Sequence, residues 1–472
     1  MLTLKFGGTS VGDGQRIAEV ARIVAGVREA HGPVIVVVSA MAGVTDRLVE
    51  AASTAARGDG ERYQAIGRAL WAQHEAAALA CLKDPARRSR ILAELRALLE
   101  SFHTLCQSVH VLGECTPRAM DLVSGLGERL SVRLAAGALQ ERGVSAEALE
   151  ATGLVITNGR HGAAEPLWEA TRERLSERVR PLLARGVVPV ITGFVGSTAA
   201  GVPTTLGRGG SDYSAAIVGS CLDCAEIWIW TDVDGVMTAD PRLVPDARTL
   251  PEISYIEAAE LSYFGAKVLH PKTMLPAIER AIPVRIKNTF RPQHPGTLIV
   301  AEPRPSRHVV KAITAIPGLS LVAVEGRGMI GVPGVAARVF GAVAREGVSV
   351  LMISQSSSEQ SICFVVPEEA TARVLEALRA DLTAELARRD IERVDARSPI
   401  AIVAVVGAGM RGTPGIAAKT FAALARAGVN IIAIAQGSSE YNISFCIEQP
   451  AMPEAVRLIH AEFDLASPNG LE

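Results

Sequence analysis

The chain reads as an α/β protein: a mostly parallel sheet sandwiched by helices, followed by two smaller α+β modules. Three observations carry this. Short continuous apolar runs alternate with helical patterns through residue 300: Val34–Val38, Val187–Ile191, Ile227–Trp230 and Ile282–Ile286. Strands apolar on both faces belong to parallel sheets with helices above and below. A proline-containing, mixed-charge stretch at 300–309 (VAEPRPSRHV) then breaks the pattern. After it the sequence repeats itself: residues 321–366 and 402–447 align without a gap, with about half the positions identical.

The 472 residues predict two or three domains, and 49% hydrophobic residues are enough for a large core. A net charge of −2 and 4% aromatics argue against a nucleic-acid surface or a polybasic membrane anchor. No apolar run reaches 18 residues. The N-terminus opens directly on a strand with Leu2, Leu4 and Phe6 at alternate positions, without a signal-peptide pattern, so a cytoplasmic location is expected. The seven cysteines are scattered; Cys221-x-x-Cys224 has no second pair, and buried thiols are expected there. Residues 51–120 read as helices decorating the sheet, and His74, His103 and His110 lack partners at metal-ligand spacing. No metal site is expected from side chains alone.

In parallel sheets ligands bind beyond the carboxyl ends of the strands, and the polar, glycine-rich segments fall there. Lys5-Phe6-Gly7-Gly8-Thr9-Ser10 places a lysine beside a turn where backbone N–H groups can approach phosphate oxygens. Ser39-Ala40-Met41-Ala42-Gly43-Val44-Thr45 offers hydroxyls after the second strand; its bland alternative is a loop with Thr45 or Asp46 as helix cap. Glu128 opens a helix, where it serves either the dipole or a substrate ammonium group. Gly207-Arg208-Gly209-Gly210-Ser211-Asp212 precedes a helix and has the composition of an anion cradle, with Arg208 as a fork for a carboxylate and Ser211 as a possible cap. Thr231-Asp232-Val233-Asp234-Gly235, with Asp240-Pro241-Arg242 behind it, suits a nucleotide. Phe264-Gly265-Ala266-Lys267 adds a further lysine.

The repeat contains a decoy. Gly407-x-Gly409-x-x-Gly412 follows a strand and imitates a dinucleotide fingerprint, but the next strand, Asn430–Ala435, ends in Gln436 rather than an acid, and Gly326, Gly328 and Gly331 repeat the spacing. Each copy reads strand, glycine-rich turn, helix, strand, polar turn, strand. Exposed strands in such modules predict pairing between chains, hence a homodimer or larger homo-oligomer.

Taken together, KFGGTS, SAMAGVTD, GERLS, GRGGSD, WTDVDGV-x-TADPR and FGAKVLHP resemble the aspartate kinases of the amino-acid-kinase fold, and the repeat resembles two ACT domains. The likeness leans toward the kinase half of bifunctional aspartate kinase–homoserine dehydrogenases. It implies a catalytic domain over 1–300, a linker over 301–310 and ACT modules over 311–395 and 396–472. It implies transfer of the ATP γ-phosphate, with Mg²⁺, to the β-carboxylate of L-aspartate, a step toward lysine, threonine and methionine. Lys5 and Asp212 then correspond to the transfer pair; Ser39, Thr45, Glu128, Arg208 and Ser211 to the aspartate site; Lys5, Gly7, Gly8, Thr231, Asp232, Arg242 and Lys267 to the ATP site. Met237 stands where many relatives carry an aromatic residue. Gln355 and Gln436, each at a strand end and followed by Ser-Ser-Glu after one residue, are the expected effector contacts, and Leu351-Met352 ahead of the first favours threonine over lysine.

Overall fold

A computed structural model describes residues 1–265, 269, 271–304, 308–356 and 360–467. The chain divides into two compact units: Met1–Val236 with Pro251–Tyr255 and Val268–Pro303, and Met237–Leu250 with Ile256–Lys267 and Arg304–Glu472.

The first unit holds strands β1 (Leu2–Phe6), β2 (Val34–Val38), β3 (Ala146–Leu149), β4 (Ile156–Thr157), β5 (Val188–Thr192), β6 (Val195–Thr198), β7 (Pro203–Thr205), β8 (Glu226–Thr231), β9 (Glu252–Ser254), β10 (Val284–Asn288) and β11 (Thr297–Val300). Eight of them form one sheet, in the order β3-β5-β2-β1-β8-β10-β11-β9; β4, β6 and β7 form a small separate one. The central pairs β2–β1, β1–β8 and β8–β10 are parallel, so their carboxyl ends open on one side. The expected apolar runs lie in these strands, with ends moved by one or two residues at β5, β8 and β10.

The helices are α1 (Gly14–His31), α2 (Val44–Ala56), α3 (Gly60–Cys81), α4 (Pro85–Leu112), α5 (Pro117–Ser124), α6 (Leu126–Glu141), α7 (Trp168–Ala184), α8 (Gly210–Cys221), α9 (Tyr255–Tyr263) and α10 (Pro271–Glu279). The strand period of two sorts β1 between two faces. Leu2, Leu4 and Phe6 enter a core with Ile17, Leu70 and Leu130 from α1, α3 and α6. Thr3 and Lys5 point the other way, toward α8: a Cβ on Gly219 would sit 3.5 Å from Thr3 Oγ1. The lysine of the KFGGTS segment therefore faces the helix that the GRGGSD segment begins. His74 is fully buried and bonded through Nδ1 to Leu70 O at 2.7 Å, and Cys221 and Cys224 are buried free thiols.

The second unit holds β12 (Ala312–Glu325), β13 (Met352–Gln355), β14 (Ser361–Pro367), β15 (Arg393–Val406), β16 (Ala433–Ala435) and β17 (Asn442–Glu448), with α11 (Val335–Arg345), α12 (Thr371–Asp381), α13 (Thr383–Arg388), α14 (Ile416–Arg426) and α15 (Met452–Glu462). The two repeats share one antiparallel sheet, β13-β14-β12-β15-β17-β16, because β12 and β15 pair along most of their length. The strand expected over 430–435 shortens to β16. The glycines of the decoy fingerprint have a packing reason: a Cβ on Gly407 would lie 2.2 Å from Val309 O, and one on Gly326 2.2 Å from Asp390 O. Each repeat's glycine turn thus lies against the backbone that leads into the other repeat's long strand. Helix α9 is built into this unit: Glu257, fully buried, pairs with Lys311 at 3.1 Å and accepts the Ala408 N–H at 2.7 Å.

Candidate active site

Four strand ends meet at one cavity of about 370 Å³, lined among others by Lys5, Gly8, Ser39, Thr45, Glu128, Arg208, Ser211 and Asp212. That volume suits a small metabolite. The cavity brings together the residues expected at the transfer pair and the amino-acid site.

The floor is an ion pair. Lys5 Nζ lies 2.6 Å from Asp212 Oδ1, with side-chain exposures of 10% and 19%. Asp212 sits in the first turn of α8, where the partial positive charge of the helix end favours a carboxylate. The helix starts early: Gly209, in the left-handed region (φ 69°), is the N-cap, and Ser211 lies inside the first turn instead of capping it. Gly207 (φ 79°) makes the preceding turn. Glycine at both positions avoids the cost of a side chain at positive φ. Gly43 (φ 73°) plays the same part before α2, so Thr45 and Asp46 are first-turn residues, not caps.

Glu128 lines the same cavity from the start of α6. Glycine at 127 lets this helix approach the loop after β2, since a Cβ there would sit 2.6 Å from Ala40 Cβ. Glu128 Oε1 accepts the Ala40 N–H at 3.1 Å; Oε2 has no hydrogen-bond partner among the described residues. The side chain is 3% exposed, and burial pushes its carboxyl up to about 8. A buried acid with an open oxygen is a receptor for a cation, because a bound positive charge restores the ionised form.

Beside Lys5, the glycine turn is less open than its sequence implies. Gly7 N–H donates to Trp230 O at 3.2 Å and is thereby engaged within the protein. Gly8 is needed for close approach: a Cβ there would lie 3.0 Å from Ala40 O. Among the residues expected to meet a nucleotide, Thr231 Oγ1 bonds Asp232 Oδ1 at 3.2 Å at the end of β8. Arg242 belongs to the second unit and pairs with Asp240 at 2.6 Å. Met237, also in that unit, is half-buried and bridges Thr249. Lys267 lies outside the described residues.

Some residues escaped the sequence reading. Phe194 lines the cavity with φ 67°, unusual for a non-glycine residue, its N–H held by Ser214 Oγ at 2.9 Å. Met41, Ala42 and Asp46 also line it. Asn288 ends β10 and Thr289 follows it: Thr289 N–H donates to Thr231 O at 2.9 Å, its Oγ1 lies 2.7 Å from Ser10 Oγ, and Asn288 Nδ2 donates to Asp234 Oδ1 at 2.8 Å. The polar run Lys287-Asn288-Thr289 directly after the apolar run IPVRI is a usable signal. Nothing in the sequence marks Phe194.

In the second unit, Gln355 ends β13 and Gln436 follows β16; both are exposed. Gln436 lines a cavity of about 280 Å³ with Met410, Thr413, Glu440 and Ile443. The Ser357-Ser358-Glu359 segment after Gln355 is outside the described residues. No helix among the described residues is long and apolar enough to cross a membrane.

The amino acid kinase family model matches residues 1–288, and the ACT domain model matches 322–382 and 403–463. A bifunctional aspartokinase/homoserine dehydrogenase 1 of Zea mays, chloroplastic, is 40% identical over 98% of this chain, and the chain spans 50% of that relative's length. Aspartokinase III of E. coli with lysine and aspartate, in the T-state, superposes with a TM-score of 0.81 at 31% identity, covering 98% of this chain and 99% of that one. The same enzyme with aspartate and ADP, in the R-state, gives 0.79 at 32%, with the same coverage. The chain belongs to the amino acid kinase family, in its aspartokinase branch, with ACT domains after the kinase domain.

Proposed function

We propose that this chain phosphorylates the β-carboxylate of L-aspartate from ATP, giving 4-phospho-L-aspartate. The observation that carries the reading is one cavity with two opposite charge requirements: the Lys5–Asp212 pair on one side and the open, buried oxygen of Glu128 on the other. An amino acid fits both. Glu128 takes the α-ammonium, Arg208 forks the α-carboxylate, and Ser39, Thr45 and Ser211 supply hydroxyls. The β-carboxylate is left toward Lys5. It is already a nucleophile, so no general base is required. The obstacle is the approach of two anions, and the work of Lys5, with Asp212 holding it, is neutralisation and alignment.

The ATP contacts are Lys5, Gly7, Gly8, Thr231, Asp232, Arg242 and Lys267, with Gly7 shaping the turn rather than donating to it. Among the described residues no group of three metal-ligating side chains converges. Mg²⁺ is carried on ATP oxygens and water, where it neutralises phosphate charge. The bound aspartate and ADP of the E. coli neighbour support this substrate pair.

The ACT modules, with Gln355 and Gln436, provide feedback control. The E. coli neighbour carries lysine; for this chain threonine is the favoured effector, because Leu351 and Met352 offer no acid to a lysine ammonium group. Residues 1–300 form the catalytic domain, 301–310 the linker, and 311–395 and 396–472 the modules. The working form is a cytoplasmic homodimer or larger homo-oligomer. The test is an ATP-dependent assay that traps acyl phosphate with hydroxylamine, run on aspartate, N-acetylglutamate, glutamate and carbamate, with ADP release on UMP. Turnover on aspartate alone is expected; preference for another acceptor, or none on any, refutes the reading.

A further inference from the structure

Outside the cavity, and besides Glu257, the described residues include another buried acid with an unusual number of partners. Asp121 is on α5, 3% exposed. Its Oδ1 accepts the Thr205 hydroxyl at 2.5 Å, and both oxygens accept the Gly162 N–H, at 3.1 and 3.2 Å. His161 Nδ1 lies 2.6 Å from Oδ2. Three donors from two separate segments converge on one carboxylate that does not line the cavity.

Both segments lead to Arg208. Thr205 ends β7, three residues before it. Gly162 supports Gly207 directly, since a Cβ on Gly207 would lie 2.9 Å from Gly162 O. The Ala164 N–H closes the same corner on Thr205 O at 2.9 Å. Arg208 itself is exposed, so its direction depends on how firmly the turn beneath it is held. On the other side of Asp121, α5 passes through Gly125 straight into α6, which carries Glu128. That junction is tight: a Cβ on Gly125 would sit 2.7 Å from Val195 Cγ1. The two groups proposed to grip the amino-acid head, Glu128 and Arg208, are thus referenced to a single helix corner.

We infer that Asp121 is a positioning residue for aspartate: it ties the Arg208 turn to the α5–α6 corner and so sets the span between the ammonium and carboxylate grips. The inference rests on the proposed substrate reading. A carboxylate does this better than a neutral group, because charge-assisted hydrogen bonds are shorter and stronger. Asparagine keeps the shape and one acceptor oxygen, enough for the Thr205 and Gly162 donors; alanine keeps neither.

The test uses the full chain with KM for aspartate and for ATP measured separately, and aspartate binding followed by calorimetry. Asp121→Ala is expected to raise the KM for aspartate about tenfold or more, move the KM for ATP less than twofold, and weaken aspartate binding in step. Asp121→Asn is expected to recover most of the loss. Thr205→Val, which removes one donor at constant shape, gives a folded variant if the alanine protein is unstable, and should raise the aspartate KM several-fold. Wild-type aspartate KM in folded Asp121→Ala or in Thr205→Val overturns the inference, as does an equal rise in both KM values. A wild type that neither turns over nor binds aspartate overturns the substrate reading itself, and this inference with it.

Discussion

The cavities of the two units solve different problems with different atoms. In the kinase unit, ionisable groups are buried before any ligand arrives: Lys5 and Glu128 are 8% and 3% exposed. In the ACT unit, the cavity at Gln436 is lined by Met410, Pro414 and Ile443 with exposed polar groups at its rim, and Glu440 spends an oxygen on the Gly412 N–H at 2.7 Å. Burying charge is costly and is maintained where it stabilises charge in a transition state. An effector site needs only to bind one conformation better than another, for which neutral polar contacts suffice.

Three experiments press on that contrast. The largest effect is expected at Lys5. Lys5→Met should leave the fold intact and lower kcat by about 10²–10³-fold, the scale of losing one preorganised stabiliser, with a smaller change in ATP binding. Near-normal turnover would remove the buried cation from the chemistry.

Glu128→Gln should raise the KM for aspartate by the worth of a charge-assisted contact, about 1.5–3 kcal/mol, with that for ATP nearly unchanged. It also has a stability signature. In the empty protein the carboxyl titrates near 8, against 4.5 for the ordinary group. The folded state holds its proton in the window where the unfolded chain has lost it, so wild-type stability should fall as pH rises from about 4.5 to 8. Removing the ionisable group removes that decline. Melting curves of the ligand-free proteins should therefore converge at the acid end and separate at pH 8.5, with Glu128→Gln the more stable. Parallel curves would mean that Glu128 is not a buried acid.

The smallest effect is expected in the ACT unit. Gln436→Ala or Gln355→Ala should shift threonine inhibition by about 1–3 kcal/mol of coupling and keep uninhibited turnover. Inhibition curves for threonine and for lysine on wild type and both variants decide it. Full inhibition in both variants, or a wild type that responds only to lysine, removes the glutamines from the effector site.

Much of the kinase site was legible because parallel strands end where ligands bind, and the residues after those ends are polar and glycine-rich. Lys5 and Ser39 follow that rule; Glu128 and Arg208 stand instead at glycine-marked helix starts, and all four share one cavity. Helix starts are less legible. Ser211 and Thr45 looked like caps, but a left-handed glycine ahead of each started the helix earlier. The shared sheet of the repeats was also not legible, since self-similarity shows two copies and not how their strands interleave.

The sequence by itself determined the strand-and-helix alternation, the duplication in the C-terminal third and the residue types at each strand end, because period, glycine and charge are local properties. Tertiary structure decided which of those residues carry a function and in what state. Glu128 reads in the sequence as a first-turn acid; only its packing beneath Ala40 makes it a buried acid with one open oxygen. Asp121 had no signal at all, because its partners His161, Gly162 and Thr205 lie 40, 41 and 84 residues away. Burial and convergence are sums over distant segments, and no local pattern encodes them.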